Sequence, residues 1–259
     1  MSEQAAKPTG GIAHIAKSEL SYGLRFLRDH GWRVLLVFVF VLLPLLGFAG
    51  LVGELREKDV FFFDAPVMLW LHKMASPSVD KFFVLMSRLG YMWGVVPIDV
   101  GILAWLVIRR RFRDGLFFGL AIIGSLVINL VAKNHFARVR PDLWLSLAPE
   151  TSFSFPSGHA MASITLGVAL ILLFWPTRWR WLVFFFATLF ALLVALSRIY
   201  LGVHYPSDIL AGWTAGTAWA VAMYQLVAGR APPPPVTKAV AASPDLIGKA
   251  GQPMPQAAG

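Results

Sequence analysis

The stretch GLFFGLAIIGSLVINLVAKNHFARVRP, residues 115–141, decides how this chain is read. Its first eighteen residues carry no charge, and a helix of that length approaches the thickness of a bilayer's hydrocarbon core. Directly behind that run come Lys133, His135, Arg138 and Arg140. An apolar helix that ends in a group of cations is the pattern of a membrane span delivering basic residues to one interface.

The rest of the chain agrees. Of 259 residues, 57% are hydrophobic and 14% charged, with a mean hydropathy of +0.66, far from the quarter-charged composition of an average soluble domain. No cysteine is present, which removes disulfides, thiolate nucleophiles and thiolate metal sites from the chemistry available. A net charge of +9 is compatible with nucleic acid as a partner, but the basic residues stand beside apolar runs and form no basic groove, so the partner they imply is the bilayer and not nucleic acid.

Working outward from residues 115–132, five further apolar runs appear at 34–52, 82–108, 158–175, 182–197 and 207–227. Gly90, Gly94 and Pro97 are expected to bend the second. Residues 61–78, where Asp64, Pro66, His72 and Lys73 interrupt the apolar pattern, read as an amphipathic helix lying on the outer interface. The expected fold is therefore all-α: a six-span transmembrane bundle with an outer-face interfacial helix. Its domain is 34–228, preceded by a cytoplasmic segment, 1–33, and followed by a disordered Pro/Ala-rich cytoplasmic tail, 229–259. Five basic residues precede the first run, four (Arg109, Arg110, Arg111, Arg113) follow the second, two (Arg178, Arg180) follow the fourth, and three lie in the tail. The positive-inside rule then puts both termini in the cytoplasm and the ends of the runs near 133, 158, 198 and 207 on the outer face. Trp32, Trp175, Trp179 and Trp181 fall where interfacial anchors belong.

Three groups of polar residues meet at that outer depth, where ionisable groups are costly. Lys133, Arg138 and Arg140 suit phosphate oxygens, although cations at a span end also simply snorkel. In FPSGH, residues 155–159, Ser157 occupies an N-cap position and Gly158 leaves the backbone open. The helix start becomes an anion site with His159 aimed at it, in position to act as a general acid. Alone, this is equally a capped helix with an interfacial histidine. In SRIYLGVHYPSD, residues 197–208, His204 stands at the threshold of a helix opened by Pro206, with Asp208 one turn inside. A carboxylate that takes the proton of one ring nitrogen leaves the other free to attack phosphorus. Arg198 adds a phosphate contact, and its company favours this dyad over a plain helix-end hydrogen bond. Asp99 and Asn129 are read as intramembrane groups hydrogen-bonded between helices, His135 as a loop histidine without a role, and Gly212 with Gly216 as a close-packing face.

Together the three groups resemble the type 2 phosphatidic acid phosphatase superfamily: Lys133 with Arg140-Pro141 seven residues on, the intact PSGH at 156–159, and Ser197-Arg198 followed by His204 and Asp208. The resemblance implies that His204 is the nucleophile, Asp208 its orienting carboxylate and His159 the general acid. Lys133, Arg140, Ser157, Gly158 and Arg198 would hold the phosphoryl oxygens, with Arg138 beside them. It implies no metal and no cofactor. The expected activity is hydrolysis of a lipid phosphomonoester or pyrophosphate through a phosphohistidine, on the periplasmic face of a bacterial inner membrane. A lipid phosphotransferase and a nonenzymatic phospholipid-binding transporter are the alternatives.

Overall fold

In the computed structural model the described residues are 31, 35, 37–57 and 61–228, and every regular element among them is helical. The expected tail lies outside the described residues, as do Trp32 and the expected N-terminal segment apart from Gly31. A helix satisfies each backbone N–H and C=O within its own segment, which is the solution an apolar chain needs where water is scarce. A π-helical turn, Phe38–Leu42, leads into α1, Leu43–Glu57. It is followed by α2, Asp64–His72; α3, Pro77–Leu89; α4, Val95–Ile108; α5, Phe112–Phe136; α6, Gly158–Phe174; α7, Arg180–Tyr200; and α8, Pro206–Ala228.

Three stretches, Phe38–Leu55, Phe112–Phe136 and Arg180–Tyr200, are long and apolar enough to cross a membrane, while Val95–Ile108 and Gly158–Phe174 are shorter apolar helices. Large apolar side chains such as Leu46, Ile123, Val131 and Phe185 point outward, as they do on a surface that meets lipid. Trp175, Trp179 and Trp181 are exposed around the α6–α7 link, in keeping with an anchoring role.

The apolar run at 82–108 is not one bent span. It divides into α3 and α4 around a turn at 90–94. The turn is a close one: a Cβ on Gly94 would stand 2.2 Å from the carbonyl oxygen of Leu89, a fit only glycine admits. Freed from α4, α3 is amphipathic. It buries Phe83 and Ser87 and carries Asp80 and Arg88 in its end turns, while residues 61–78 supply α2 and the first residues of α3.

Helix α6 sits at the centre, packed on α8, α7 and α5, and α8 also packs on α5 and α1. The α6–α8 contact brings backbone against backbone. A Cβ on Gly212 would lie 2.8 Å from the Ser157 carbonyl oxygen, and one on Gly216 would lie 3.1 Å from the Met161 carbonyl oxygen and 2.7 Å from the Ile164 side chain. This is the close-packing face expected of the two glycines. It brings the start of α6 against the start of α8, and the Ser157 N–H donates across to the Asp208 carbonyl at 3.1 Å. Two stretches separated by some fifty residues in the chain thereby share one corner of the bundle.

Candidate active site

His204 lies in the turn 201–205 that joins α7 to α8, and Pro206 opens α8 where a missing N–H costs nothing. Its Nδ1 is 3.4 Å from Asp208 Oδ2, and both residues are completely buried. The Asp208 carboxylate is held as an acceptor from several sides. Arg138 donates to Oδ1 at 2.6 Å, and the Ser154 hydroxyl and the Tyr205 N–H donate to Oδ2. With its orientation set this way, the carboxylate favours the tautomer of His204 that carries a proton on Nδ1 and a lone pair on Nε2. Burial first, then the charges of Arg140 and Arg198, hold the His204 imidazole well below its usual 6.5, with Glu150 acting in the opposite direction. The ring is neutral at physiological pH.

His204 Nε2 is 3.1 Å from Arg140 Nη1, which also donates to the Val203 carbonyl at 2.6 Å. Arg140 donates through Nε to the Ser152 carbonyl at 2.6 Å and through Nη2 to Glu150 Oε2 at 2.6 Å. The other oxygen of Glu150 accepts from Arg198 and lies 3.7 Å from His159 Nδ1. A single carboxylate therefore sits between two guanidinium groups, with one imidazole against it and the other against the same Arg140. Burial alone would raise the Glu150 carboxyl. Arg198 above all, with the histidines and Arg140, brings it down to about 2, so it is ionised at any working pH.

Lys133, at the end of α5, donates to the Ser152 hydroxyl at 3.0 Å. Ser157 is the N-cap of α6 as expected, but its hydroxyl does not close the cap. Among the described residues, Ser157 Oγ and Arg198 Nε are buried without a hydrogen-bond partner. Orphaned polar atoms are rare in native structures and here both border the same corner. A cavity of about 550 Å³ opens at Glu150 and His159, lined by Lys133, Glu150, Gly158 and His159 at one end and by Ile122, Leu126 and Val95 at the other. Asn129 fulfils its expected bridging role, donating to the Pro156 carbonyl at 3.2 Å. Asp99 does not: its Oδ1 has no partner among the described residues, because α4 turns this side chain into the cavity and not onto a polar neighbour. His135 packs edge-on against Phe136, 4.9 Å between ring centres.

Arg138 stands beside these residues, as expected. It lies behind Asp208, where it bonds Asp208, the Ser207 hydroxyl at 2.8 Å and Asp64 at 3.0 Å, and stacks over Tyr205. It follows directly on Ala137, the left-handed residue that ends α5. Asp64 completes this group by also accepting the Ser207 N–H at 2.9 Å.

The family model described as PAP2 superfamily matches residues 114–232. Phosphatidylglycerophosphatase B of Bacillus subtilis is 35% identical over 145 residues, which cover 54% of this chain and 71% of that protein. An undecaprenyl-diphosphatase of Sulfolobus acidocaldarius is 28% identical over 193 residues, 72% of this chain and 85% of its own length. Among solved structures, the crystal structure of a transmembrane PAP2 type phosphatidylglycerolphosphate phosphatase from Bacillus subtilis superposes with a TM-score of 0.67. It shares 28% identity and covers 73% of this chain and 96% of that one. The chain belongs to the PAP2 superfamily. As a PAP2 protein it is a phosphoric ester hydrolase and an integral membrane protein.

Every sequence-derived site position of this PAP2 chain lies within the matched residues, whereas α1 to α4, with Asp64 and Asp99, lie outside them. Sequence reading missed Glu150 and Asp64. Glu150 is one of two acids, with Asp142, in an irregular loop, its only signal being six residues' distance from the PSGH stretch. Asp64 reads as an ordinary acid in a helix's first turn, two residues before Pro66. What makes both matter is long-range pairing, which no local pattern carries.

Proposed function

We propose that this PAP2 enzyme hydrolyses the phosphomonoester or pyrophosphate group of a membrane lipid through a phosphohistidine. The observation that carries the reading is the anion position at Glu150: a negatively charged group held jointly by Arg140 and Arg198, with His159 and His204 against the same cluster. A phosphoryl group there would lie within reach of His204 Nε2. Phosphoryl transfer needs mainly positioning and charge stabilisation, and Lys133, Arg140, Arg198, the Ser157 hydroxyl and the α6 N-terminus are suited to supply both. The reading uses no metal.

In the first step the lone pair on His204 Nε2 forms the N–P bond as the P–O bond to the lipid breaks. His159 gives its proton to the departing oxygen, while Asp208 holds the Nδ1 proton and stabilises the cation forming on the ring. In the second step the now neutral His159 takes a proton from water. The oxygen attacks phosphorus and His204 leaves, releasing inorganic phosphate. Phosphatidate, phosphatidylglycerophosphate and undecaprenyl pyrophosphate are the substrates the reading covers, the last two in line with the names of relatives. Their tails would occupy the apolar end of the cavity.

The topology that goes with this reading has six spans, α1 and α4 to α8, with α2 and α3 on the outer interface, both termini cytoplasmic and the site facing outward. His204→Ala is expected to remove phosphate release from phosphatidate while the protein stays monodisperse in detergent. Brief incubation of the unaltered enzyme with labelled substrate in EDTA is expected to leave acid-labile, base-stable label on the chain. Full turnover by His204→Ala would refute the nucleophile.

A further inference from the structure

We infer that Glu150 sets the charge selectivity of this site, keeping monoanionic phosphodiester headgroups out of a cradle that dianionic phosphomonoesters can enter. The inference rests on the phosphatase reading and adds a specificity-determining residue to it. Glu150 carries one negative charge and occupies the position where Arg140 and Arg198 converge. An incoming phosphate that engages both guanidinium groups must displace it, because the Nη2 groups of Arg140 and Arg198 donate to its two oxygens and His204 is fully buried beside Arg140.

The exchange depends on charge. A phosphodiester brings one negative charge to replace the one that leaves, so among Lys133, Arg140 and Arg198 it gains nothing by electrostatics. A phosphomonoester, whose second ionisation lies near pH 6, brings almost two and gains a full charge in a partly desolvated site. The discrimination matters because bilayer phosphodiesters greatly outnumber any phosphomonoester. Three features equip Glu150 for this part. Its side chain is 25% exposed, so it has a way out to water; it stands on the segment 137–157, which contains no helix; and it lines the cavity that a lipid would occupy. Were the carboxylate only a structural tie, its burial would be expected to match that of Asp64, which is wholly enclosed.

The test measures phosphatidate hydrolysis in mixed micelles with phosphatidylglycerol as the diester competitor, for the unaltered enzyme, Glu150→Gln and Glu150→Asp. Glu150→Gln keeps the shape and removes the charge. It is expected to lower the inhibition constant of phosphatidylglycerol at least about tenfold relative to the KM for phosphatidate, since one charge at this range is worth more than that. Glu150→Asp is expected to restore most of the discrimination. An unchanged ratio in Glu150→Gln overturns the inference.

A second measurement needs no turnover: thermal stabilisation at pH 8 by methyl phosphate, a dianion, and by dimethyl phosphate, a monoanion. The unaltered protein is expected to respond to the first alone and Glu150→Gln to both. Equal responses in the unaltered protein also overturn the inference. Failure of the unaltered enzyme to hydrolyse any phosphomonoester lipid, with the split between the two probes intact, would instead remove the phosphatase reading and leave the anion selectivity standing.

Discussion

At the scale of single residues, the site depends on keeping one imidazole uncharged among cations. His204 has its pKa lowered by burial and then by Arg140 and Arg198. A lowered value means the ring stays deprotonated below pH 6.5, where an exposed histidine becomes mostly charged and unable to attack. Arg140 stands 3.1 Å from the attacking nitrogen, so removing its charge is expected to let the ring hold a proton more readily. In Arg140→Gln the acid limb of kcat/KM is therefore predicted to move to higher pH by up to about one unit, alongside the loss of binding. The substrate's own ionisation enters both profiles equally, so comparing the limbs isolates the ring; coincident limbs would exclude the effect. At this scale the sequence was largely readable. Lys133, Arg140, Ser157, His159, Arg198, His204 and Asp208 each lie within nine residues of a span end in short runs whose residue types already imply an anion. Arg138 was expected beside that group and stands against Asp208; what spacing did not reveal is that it also pairs with Asp64.

At the scale of elements, the site is a junction of helix starts, and its geometry is set by how closely α6 and α8 approach. A methyl group on Gly212 would meet the Ser157 carbonyl oxygen at 2.8 Å, forcing apart the segments that carry His159 and His204. Gly212→Ala is expected to destabilise the protein by about 1–3 kcal/mol, the usual cost of overpacking, and to lower kcat by more than it raises KM. Gly53→Ala, on α1 with nothing within 4 Å, is the control and is expected to be neutral or slightly stabilising. Thermal unfolding in detergent and initial rates read both effects; equal behaviour of the two variants would show that the close approach does not matter. The glycine pair was legible because small residues one turn apart on an apolar helix have few other uses. The break at 90–94 was not, since apolar residues continue across it and only the close fit of Gly94 against the Leu89 carbonyl marks the turn. The tie from α2 through Asp64 to Arg138 and Asp208 was equally hidden, being a pairing across more than seventy residues.

At the scale of the whole molecule, the question is which side of the bilayer the junction faces. The sequence answers by charge distribution: Arg109, Arg110, Arg111 and Arg113 cluster at the α4–α5 link, and Arg178 and Arg180 at the α6–α7 link. The site residues lie instead around the α5–α6 and α7–α8 links, at the opposite ends of those helices. Moving the first group across the membrane would cost far more than leaving the second outside, where the cations are engaged by Glu150 and Ser152 and would meet phosphate. The absence of cysteine makes this directly testable, because a single introduced thiol is the only one in the chain. Leu145, 95% exposed on the segment between α5 and α6, belongs to the site's face, and Arg111 to the opposite one. In intact spheroplasts a membrane-impermeant maleimide is expected to label Leu145→Cys at once and Arg111→Cys only after permeabilisation. The reverse pattern would put the phosphate-binding corner in the cytoplasm. The lipid would then have to present its phosphate on the inner leaflet, which would exclude an enzyme that receives its substrate from reactions completed on the outer surface.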